Sequence, residues 1–569
     1  MVYPMSAYLL IVALSLAQTV LAQSLIAHLD YGTFQGAYDV DYNISYWQKI
    51  PYAAPPVGEN RFRAPQPPQP IGEQVYNSSQ AFDMCPQRTV NGSEDCLYLG
   101  LYSRPWTEGQ PLRPVVVTFY GGGFAQGSAS FSIPPPAYPI LNVSSSTPTV
   151  NNSSDRGGGD DDGMLFVYPN YRVNAFGFLP GRQVAADSFS DLNAGLLDQA
   201  MALRWTQKHI RRFGGDPARV TIWGQSAGGG SVVAQVISAA AAGQRQRGRG
   251  PGPSPPPLFR QALASSPFWP KTYRNEAPEA QWRYDRLANL TGCGGAEVSD
   301  SLKCLKQVDV QAIRGASLEI SQSRKYTTSY YSWVPVIDGE FLPEPLSKAS
   351  KAIDKPWLVD TGMQVAFAMY NTHEGESFIP PGLGGGVACA GDPPFNASIA
   401  SFRHWIAGYL PGFSSADRRQ IEELYPESGT TNTLPYNDTF TRAGLVYRDS
   451  VLACPAYWMT GAAPKGGWLG EYTIAPAKHA SDVYWWNTVN SSQQTYRLHY
   501  EGYAGAMHSF FITGDPNAIK LTPESVPGAP PLASGLEFVV DEQGFSTARL
   551  AKFRERCDFW LHMAPQVPA

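Results

Sequence analysis

Short apolar runs along the chain alternate with segments of helical periodicity. The runs at 114–119, 164–168 and 220–223 are rich in β-branched residues and are typical of buried strands. The segment 192–213 repeats apolar residues at helical spacing with charges between them, and the glycines that follow predict its end. A last amphipathic helix is predicted over 546–562. Strands that alternate with helices favour a mostly parallel sheet, so the predicted fold class is α/β.

The pattern also predicts how the chain is divided. An apolar run from Ala7 to Leu21 ends in small residues before Gln23, which predicts a signal peptide over 1–22, with a signal anchor as the alternative. Two polar, low-complexity inserts at 144–163 and 243–257 are predicted to be loops. No internal repeat or long linker separates the rest, so one domain is expected over 23–569.

Composition and charge narrow the range of partners. The chain has 569 residues, 43% of them hydrophobic, which is enough for a large core. The net charge is −5 and the basic residues are scattered, so no nucleic-acid partner is predicted. No run after residue 22 is long and apolar enough for stable membrane insertion. The oligomeric state stays open.

Acceptor sequences for N-glycosylation agree with secretion to the extracellular space. They are Asn43, Asn77, Asn91, Asn142, Asn151, Asn152, Asn289, Asn396, Asn437 and Asn490. Asn151 and Asn152 are adjacent, so both are not expected to be used.

Seven cysteines in a secreted chain predict disulfides with one thiol left over. Two closely spaced pairs, Cys85 with Cys96 and Cys293 with Cys304, would each close a small surface loop. Spacing alone cannot pair the remaining three, which are Cys389, Cys454 and Cys557. No cysteine or histidine cluster has the spacing of a metal site, and no cofactor is predicted.

The strongest chemical signal is a serine between two glycines, in Gly224-Gln225-Ser226-Ala227-Gly228. An apolar strand precedes it and an apolar helical pattern follows. In this context G-x-S-x-G lifts a serine hydroxyl onto a strained turn, where it acts as a nucleophile. The helix behind the serine points unpaired N–H groups at developing negative charge.

Further motifs resemble those of the type-B carboxylesterase/lipase family of α/β-hydrolases, which includes cholinesterases and fungal lipases. The motifs, in family order, are IPYAAPPVGENRFR (50–63), SEDCLYL (93–99), YGGGF (120–124), NYRVNAFGFL (170–179), NAGLLDQAMALRW (193–205), FGGDP (213–217), GQSAGG (224–229), THEG (372–375) and GAMH (505–508). The resemblance implies an α/β-hydrolase fold: a large, mostly parallel sheet flanked by helices, with a small N-terminal antiparallel region. It also implies ester hydrolysis through an acyl-serine.

The resemblance implies a catalytic triad of Ser226, Glu374 and His508. The family usually has Asp-Glu-Gly where this chain has His373-Glu374-Gly375, so a histidine replaces an acidic neighbour, and Glu376 is the alternative acid. His508 is chosen because GAMH matches the family's histidine loop. His499, the nearest rival, lies in an alternating run and is interpreted as a strand residue.

Other matching residues are expected to stabilise the reaction or the fold. Gly122, Gly123 and Ala227 would donate backbone N–H groups to the oxyanion. The pairs Arg61 with Glu94 and Arg172 with Asp198 resemble the family's buried ion pairs, for which a structural role is expected.

Two features bear on the substrate, a small-molecule ester. Cholinesterases have an acidic residue before the serine, whereas this chain has Gln225, which disfavours choline esters. Only ten polar residues separate Cys85 from Cys96, a poor interfacial lid. The favoured function is therefore a secreted carboxylesterase for soluble or moderately apolar esters. A lipase or sterol esterase, a non-catalytic adhesion protein and an acyltransferase are the alternatives.

Overall fold

The computed structural model of the protein describes residues 25–144, 163–248, 256–295, 298–322, 332–347, 362–386 and 395–564. Several features predicted from the sequence lie outside these ranges. They are the signal peptide, most of the insert at 144–163, the middle of the insert at 243–257, Asn151, Asn152 and Cys389.

Sixteen strands are found in the described ranges. They are β1 (Ile26–Leu29), β2 (Gly32–Gln35), β3 (Ala37–Asp39), β4 (Ile44–Pro51), β5 (Val75–Asn77), β6 (Tyr98–Ser103), β7 (Arg113–Phe119), β8 (Leu165–Pro169), β9 (Gly215–Gln225), β10 (Gln261–Ser265), β11 (Val365–Asn371), β12 (Gly429–Thr430), β13 (Pro435–Tyr436), β14 (Gly466–Tyr472), β15 (Leu536–Asp541) and β16 (Gly544–Arg549).

Helices connect the consecutive strands from β7 to β12 and from β13 to β15. They are α1 (Tyr138–Asn142), α2 (Asn174–Phe178), α3 (Arg182–Ala186), α4 (Ala194–His209), α5 (Ala227–Gly248), α6 (Pro278–Leu290), α7 (Val298–Gln307), α8 (Val310–Gln322), α9 (Ile399–Tyr409), α10 (Ser415–Leu424), α11 (Thr439–Arg448), α12 (Cys454–Gly461), α13 (Ser492–Thr495), α14 (Arg497–Thr513) and α15 (Ala551–Met563).

Eleven strands form one central sheet, in the order β16-β15-β14-β11-β10-β9-β7-β8-β6-β4-β3. The seven strands from β15 to β8 in this order are parallel to their neighbours, and antiparallel strands flank them on both sides. A separate N-terminal sheet contains β1, β2 and β5. The mixed but mostly parallel sheet confirms the predicted α/β class.

The inner strands are apolar because helices cover both faces of the sheet. All residues of β7 and β8 are buried, and so are those of β11 except the first. The predicted helix at 192–213 is found as α4 followed by a single 3₁₀ turn. Gly214 ends it with a φ of 85°, in the left-handed region that favours glycine.

Three sequence-based expectations differ from the structure. Part of the insert at 243–257 is helical, because α5 continues to Gly248. The final helix begins at Ala551, and residues 544–549 form edge strand β16 instead. His499 lies within helix α14, so its interpretation as a strand residue is wrong. Alternation of apolar and polar residues over only five positions does not distinguish a strand from a helix that packs against other elements on two sides.

Three disulfides are present in the described part of the chain. The two predicted bonds, Cys85–Cys96 and Cys293–Cys304, are both found. A third joins Cys454 to Cys557, which are 103 residues apart. It fastens the C-terminal helix α15 to the start of α12, a pairing that cysteine spacing could not give.

Most of the described glycosylation acceptors are accessible. Six of their asparagines are exposed: Asn43, Asn77, Asn91, Asn289, Asn396 and Asn437. Asn142 and Asn490 are half-buried.

None of the described helices combines the length and the hydropathy that a bilayer-spanning segment needs.

Two buried ion pairs join segments near the sheet. Arg61 contacts Glu94 through two hydrogen bonds of 2.6 and 2.7 Å. Arg172 does the same with Asp198, at 2.7 and 2.8 Å, and Asp198 is completely buried. Both pairs lie where the sequence predicted them. A buried carboxylate is tolerated because its charge and lone pairs are satisfied.

We expect Arg172→Met to lower the free energy of unfolding by about 3–5 kcal/mol, because it leaves the buried Asp198 carboxylate without its cation. Urea denaturation would measure the loss. Lys208→Met is the matched control, since the Lys208–Asp30 pair has side chains 64% and 55% exposed. Its loss should cost less than about 1 kcal/mol. Equal losses in the two variants would contradict the assignment of a buried, structural pair.

Candidate active site

Three polar side chains come together at the carboxyl edge of the parallel strands. Ser226 directly follows β9, Glu374 follows β11, and His479 follows β14. In the sheet, β10 lies between β9 and β11, and β14 is next to β11. Loops after parallel strands meet at this edge, which is where open α/β sheets bind their ligands.

Ser226 lies on a sharp turn between strand β9 and helix α5. Its φ is 58°, an unusual value for a residue with a side chain, and the residue is 8% exposed. The turn needs glycine on both sides. A Cβ at Gly228 would lie 2.0 Å from the carbonyl oxygen of Phe119, and one at Gly224 would lie 2.3 Å from the carbonyl carbon of Gly228. Strand and helix therefore approach closely and present the serine hydroxyl.

Glu374 begins a short 3₁₀ helix, Glu374–Ser377, and is completely buried. Thr372, two residues before it, is fixed from below. Thr372 donates its hydroxyl to Glu471 at 2.8 Å, and Arg448 donates to the Thr372 carbonyl at 3.2 Å. The carboxylate therefore projects from a turn that buried polar contacts hold.

His479 connects the serine to the acid. Its Nε2 lies 2.8 Å from Ser226 Oγ, and its Nδ1 lies 2.9 Å from Glu374 Oε2. The ring edge packs on Phe378, with ring centroids 5.0 Å apart. With Nδ1–H donating to the carboxylate, Nε2 is free to accept the proton of the serine hydroxyl.

The structure does not place His508, the base predicted from the sequence, beside Ser226 or Glu374. His508 lies in the interior of helix α14 and is completely buried. Its Nδ1 is 3.0 Å from the carbonyl oxygen of Ile140, in the layer that covers the sheet. The tetrapeptide GAMH is helical here, whereas the prediction assumed a loop. The structure does bring the predicted Ser226 and Glu374 together.

A signal for His479 was present in the sequence. Trp468, Leu469 and Tyr472 give the glycine-rich segment 466–472 a weak strand pattern, and the Ala-Pro-rich turn after it carries His479 to the edge where Ser226 and Glu374 lie. Asp482 follows three residues later and lies in a short 3₁₀ helix, Ser481–Trp485. The turn also holds Ala477 and Ala480 at positive φ, a strain that is typical of functional sites.

Buried hydrogen bonds hold the turn that carries His479. Asp482 accepts from Asn371 at 3.0 Å, from Trp486 at 3.3 Å and from Tyr503 at 2.8 Å. Asn371 is the last residue of β11 and also donates to Ser266 at 3.0 Å. One asparagine thus joins the segment leading to Glu374, the turn of His479 and the strand next to Ser226.

Glu376, the alternative acid, contacts other residues. Its Oε1 lies 2.8 Å from Nδ1 of His373, and its Oε2 accepts from the ammonium group of Lys478. Burial raises the pKa of Glu376, but the hydrogen bonds from His373 and Lys478 outweigh it and hold this pKa below the ordinary value. Glu374, and not Glu376, is the carboxylate that contacts His479.

The predicted oxyanion loop lies against the serine. A Cβ at Gly121 would approach Ser226 Cβ to 3.0 Å. Gly122 and Gly123 have φ values of 114° and 63°, which favour glycine. Among the described residues, no hydrogen bond to a protein acceptor uses the amides of Gly122, Gly123 or Ala227.

Two tyrosines fix the start of this loop. Tyr120 stacks on Tyr171 at 4.1 Å, and each hydroxyl donates to the backbone carbonyl of the other residue. Burial, and next the neighbouring Tyr171, raise the pKa of Tyr120 well above its ordinary value. Both rings therefore stay neutral near pH 7 and keep the glycine loop in place.

Clusters of histidine, cysteine and acidic residues suited to a metal ion are absent from the described residues.

Comparisons with known proteins agree with this geometry. The chain is 27% identical to the carboxylesterase patB of Penicillium expansum, over 90% of this chain and 91% of that protein. It is 30% identical to the secreted lipase 1 of Botryotinia fuckeliana, over 52% of this chain and 50% of the lipase. The solved structure of Aspergillus niger EstA superposes with a TM-score of 0.75 at 24% identity, covering 96% and 99% of the two chains, which shows the shared fold.

The sequence pattern of the carboxylesterase family matches residues 23–383. This range is more than half of the chain and contains both Ser226 and Glu374. The protein belongs to the carboxylesterase family and is a carboxylic ester hydrolase.

Proposed function

We propose that the protein is a secreted serine esterase in which Ser226 is the nucleophile, His479 the general base and Glu374 the orienting acid. The observation that carries this proposal is the continuous chain of hydrogen bonds from Ser226 Oγ through the His479 ring to Glu374 Oε2, at 2.8 and 2.9 Å. A nucleophile, a base within hydrogen-bond reach and a group that orients the base are what acyl transfer to serine requires.

In the first half-reaction, Ser226 Oγ attacks the ester carbonyl carbon while its proton moves to His479 Nε2. The imidazolium that forms is stabilised by the carboxylate of Glu374, which is buried away from water. His479 then returns the proton to the alcohol oxygen as the ester bond breaks. The acyl group stays on Ser226 and the alcohol leaves.

In the second half-reaction, a water molecule takes the place of the alcohol. His479 accepts a proton from the water as it attacks the acyl carbon, and it returns that proton to Ser226 Oγ when the acid leaves. Both half-reactions place negative charge on the former carbonyl oxygen. The amides of Gly122, Gly123 and Ala227 are the proposed donors, and loss of one such donor typically costs about 3 kcal/mol of transition-state stabilisation.

The loop between Cys85 and Cys96 favours soluble or moderately apolar esters over emulsified lipid. Arg314 donates to the carbonyl oxygens of Gln87 and Val90, at 2.6 and 3.0 Å. The Gln87 amide donates to Gly127 next to the glycine loop, at 2.8 Å. A loop that is short, polar and fixed at several points is poorly suited to open as a lipid-binding lid. A lipase or sterol esterase is the alternative function.

Gln225 argues against a preference for cationic esters. Its amide lies against the glycine loop, since a Cβ at Gly121 would approach its Oε1 to 2.9 Å. An amide at this point gives no negative charge to attract a quaternary ammonium group, whereas a carboxylate would.

Secretion is supported by three independent features. The disulfides require an oxidising compartment, six described glycosylation acceptors are exposed, and one relative is named as a secreted lipase.

We expect Ser226→Ala and His479→Gln each to lower kcat/KM for a soluble ester by about 10⁴-fold or more, because they remove the nucleophile and the base. Ser226→Ala should also abolish labelling by a fluorophosphonate. His508→Asn is the matched control, since its amide can replace the Nδ1 contact with Ile140, and its kcat/KM should stay within about tenfold of the parent. A large loss in His508→Asn with a small one in His479→Gln would contradict the proposed triad.

A panel of soluble acyl esters of increasing chain length, with emulsified triglyceride beside it, tests the substrate class. We expect the highest kcat/KM on soluble esters and no sharp rise in rate when the substrate concentration passes into emulsion. Gln225→Glu should raise the ratio of kcat/KM for a choline ester to that for its neutral isostere by about tenfold, because it adds a carboxylate near the nucleophile. A steep increase at the emulsion boundary would favour the lipase alternative.

A further inference from the structure

A second carboxylate bridges the flanks of the two residues that assist Ser226. His373 immediately precedes Glu374, and Lys478 immediately precedes His479. Both flanking residues bond to Glu376: His373 through Nδ1 at 2.8 Å to Oε1, and Lys478 to Oε2. The backbones meet at the same place, where the His373 amide donates to the Ala477 carbonyl at 2.9 Å. This bridge runs alongside the Glu374–His479 contact.

We propose that Glu376 is a positioning residue for His479. Glu376 holds the turn that carries His479 (477–480, the base turn) against the turn that carries Glu374 (372–377, the acid turn). It also balances the charge of Lys478 beside the imidazole. This inference rests on the triad proposed above. Glu376 touches neither Ser226 nor His479 among the described contacts, so it acts through its two partners.

The bridge depends on the histidine at position 373. An aspartate there would place a second carboxylate beside Glu376, and the two would repel each other. His373 instead offers a donor, so that Glu376 accepts from both sides. The Glu376 side chain is 6% exposed, and its surroundings are therefore dry enough for the two contacts to constrain both turns.

The charges near the bridge are arranged in separate groups. Lys478 is 40% exposed on its side chain, with its ammonium group 5.4 Å from the centre of the Phe440 ring. Helix α11 packs against the acid turn, and its Arg448 is paired with Asp449 and Glu471. Glu374 faces His479 directly. Glu376 is therefore the carboxylate that neutralises Lys478, and its lowered pKa agrees with this pairing.

Removing Glu376 and removing Lys478 should shift the acidic limb of the pH profile of kcat/KM in opposite directions. Glu376→Gln leaves the Lys478 ammonium uncompensated next to His479, which disfavours the imidazolium. The acidic limb of kcat/KM should then move to lower pH, by about 0.5 unit. Lys478→Met leaves a carboxylate instead, and the limb should move to higher pH by about the same amount. The double variant should return towards the parent profile.

The two single variants should also lower kcat by about tenfold with KM within about twofold, because a displaced imidazole impairs the chemical step more than binding. Profiles are measured on the full-length protein with a soluble ester, together with the melting temperature of each variant. Lys520→Met and Glu524→Gln are matched controls from a pair with a half-buried lysine and an exposed glutamate, and they should leave the profile unchanged.

The outcomes separate the two proposals. Unshifted acidic limbs in both single variants, or shifts of the same sign, overturn the positioning role of Glu376 while leaving the triad intact. If Glu376→Gln fails to fold, Lys478→Met, at a half-exposed position, still tests the sign. Persistent activity in Ser226→Ala would instead overturn the triad on which this inference rests.

Discussion

The register of four parallel strands is the constraint on which the site depends. Gln225 pairs with Ser265, Ser265 with Met369, and Met369 with Gly470, so β9, β10, β11 and β14 are aligned at their carboxyl ends. A shift of two residues in one of these strands would move one loop by about 7 Å, far beyond hydrogen-bond reach. Ser226, Glu374 and His479 come from distant parts of the sequence, and only this alignment brings them together.

Buried polar contacts below the edge reinforce the same alignment. Glu471 on β14 and Glu537 on β15 are both completely buried, and burial raises the pKa of each carboxyl. Tyr370 donates to Glu537 at 2.9 Å, while Thr372 donates to Glu471. These contacts join three adjacent strands directly behind the acid turn. Such contacts cannot be released singly without leaving a buried polar group unsatisfied, which makes the edge resistant to local rearrangement.

The buried carboxylate of Asp449 joins the C-terminal helix α15 to the segment between helices α11 and α12. Asp449 accepts from Arg448 at 2.9 Å and from Arg556 at 2.6 Å, and all three side chains are buried. Arg556 lies next to Cys557, whose disulfide to Cys454 joins the same two segments. The C-terminal helix is therefore fixed by a covalent bond and by charge at neighbouring positions, close to the arginine that supports Thr372.

Much of this arrangement could be predicted from the sequence, because local patterns determine it. The serine turn is encoded within five residues, the inner strands by apolar runs, and the two short disulfides by spacing. His479 was missed because its proposed role depends on where β14 lies in the sheet, which is a long-range property. Its turn also lies beyond residues 23–383, the part that matches the family pattern. The Cys454–Cys557 bond was out of reach for the same reason, since packing of α15 decides it.

The order of the three residues along the chain has a consequence for biosynthesis. Ser226 precedes His479 by 253 residues, so at about 5–20 residues per second the serine is made roughly 10–50 s before its proposed base. Until β14 has joined the sheet, the serine hydroxyl lacks the imidazole that lies 2.8 Å from it in the structure. On the proposed mechanism, the nascent chain is therefore chemically silent while residues beyond Ser226 are still being added. Ester hydrolysis begins only when the carboxyl-terminal part of the sheet is complete.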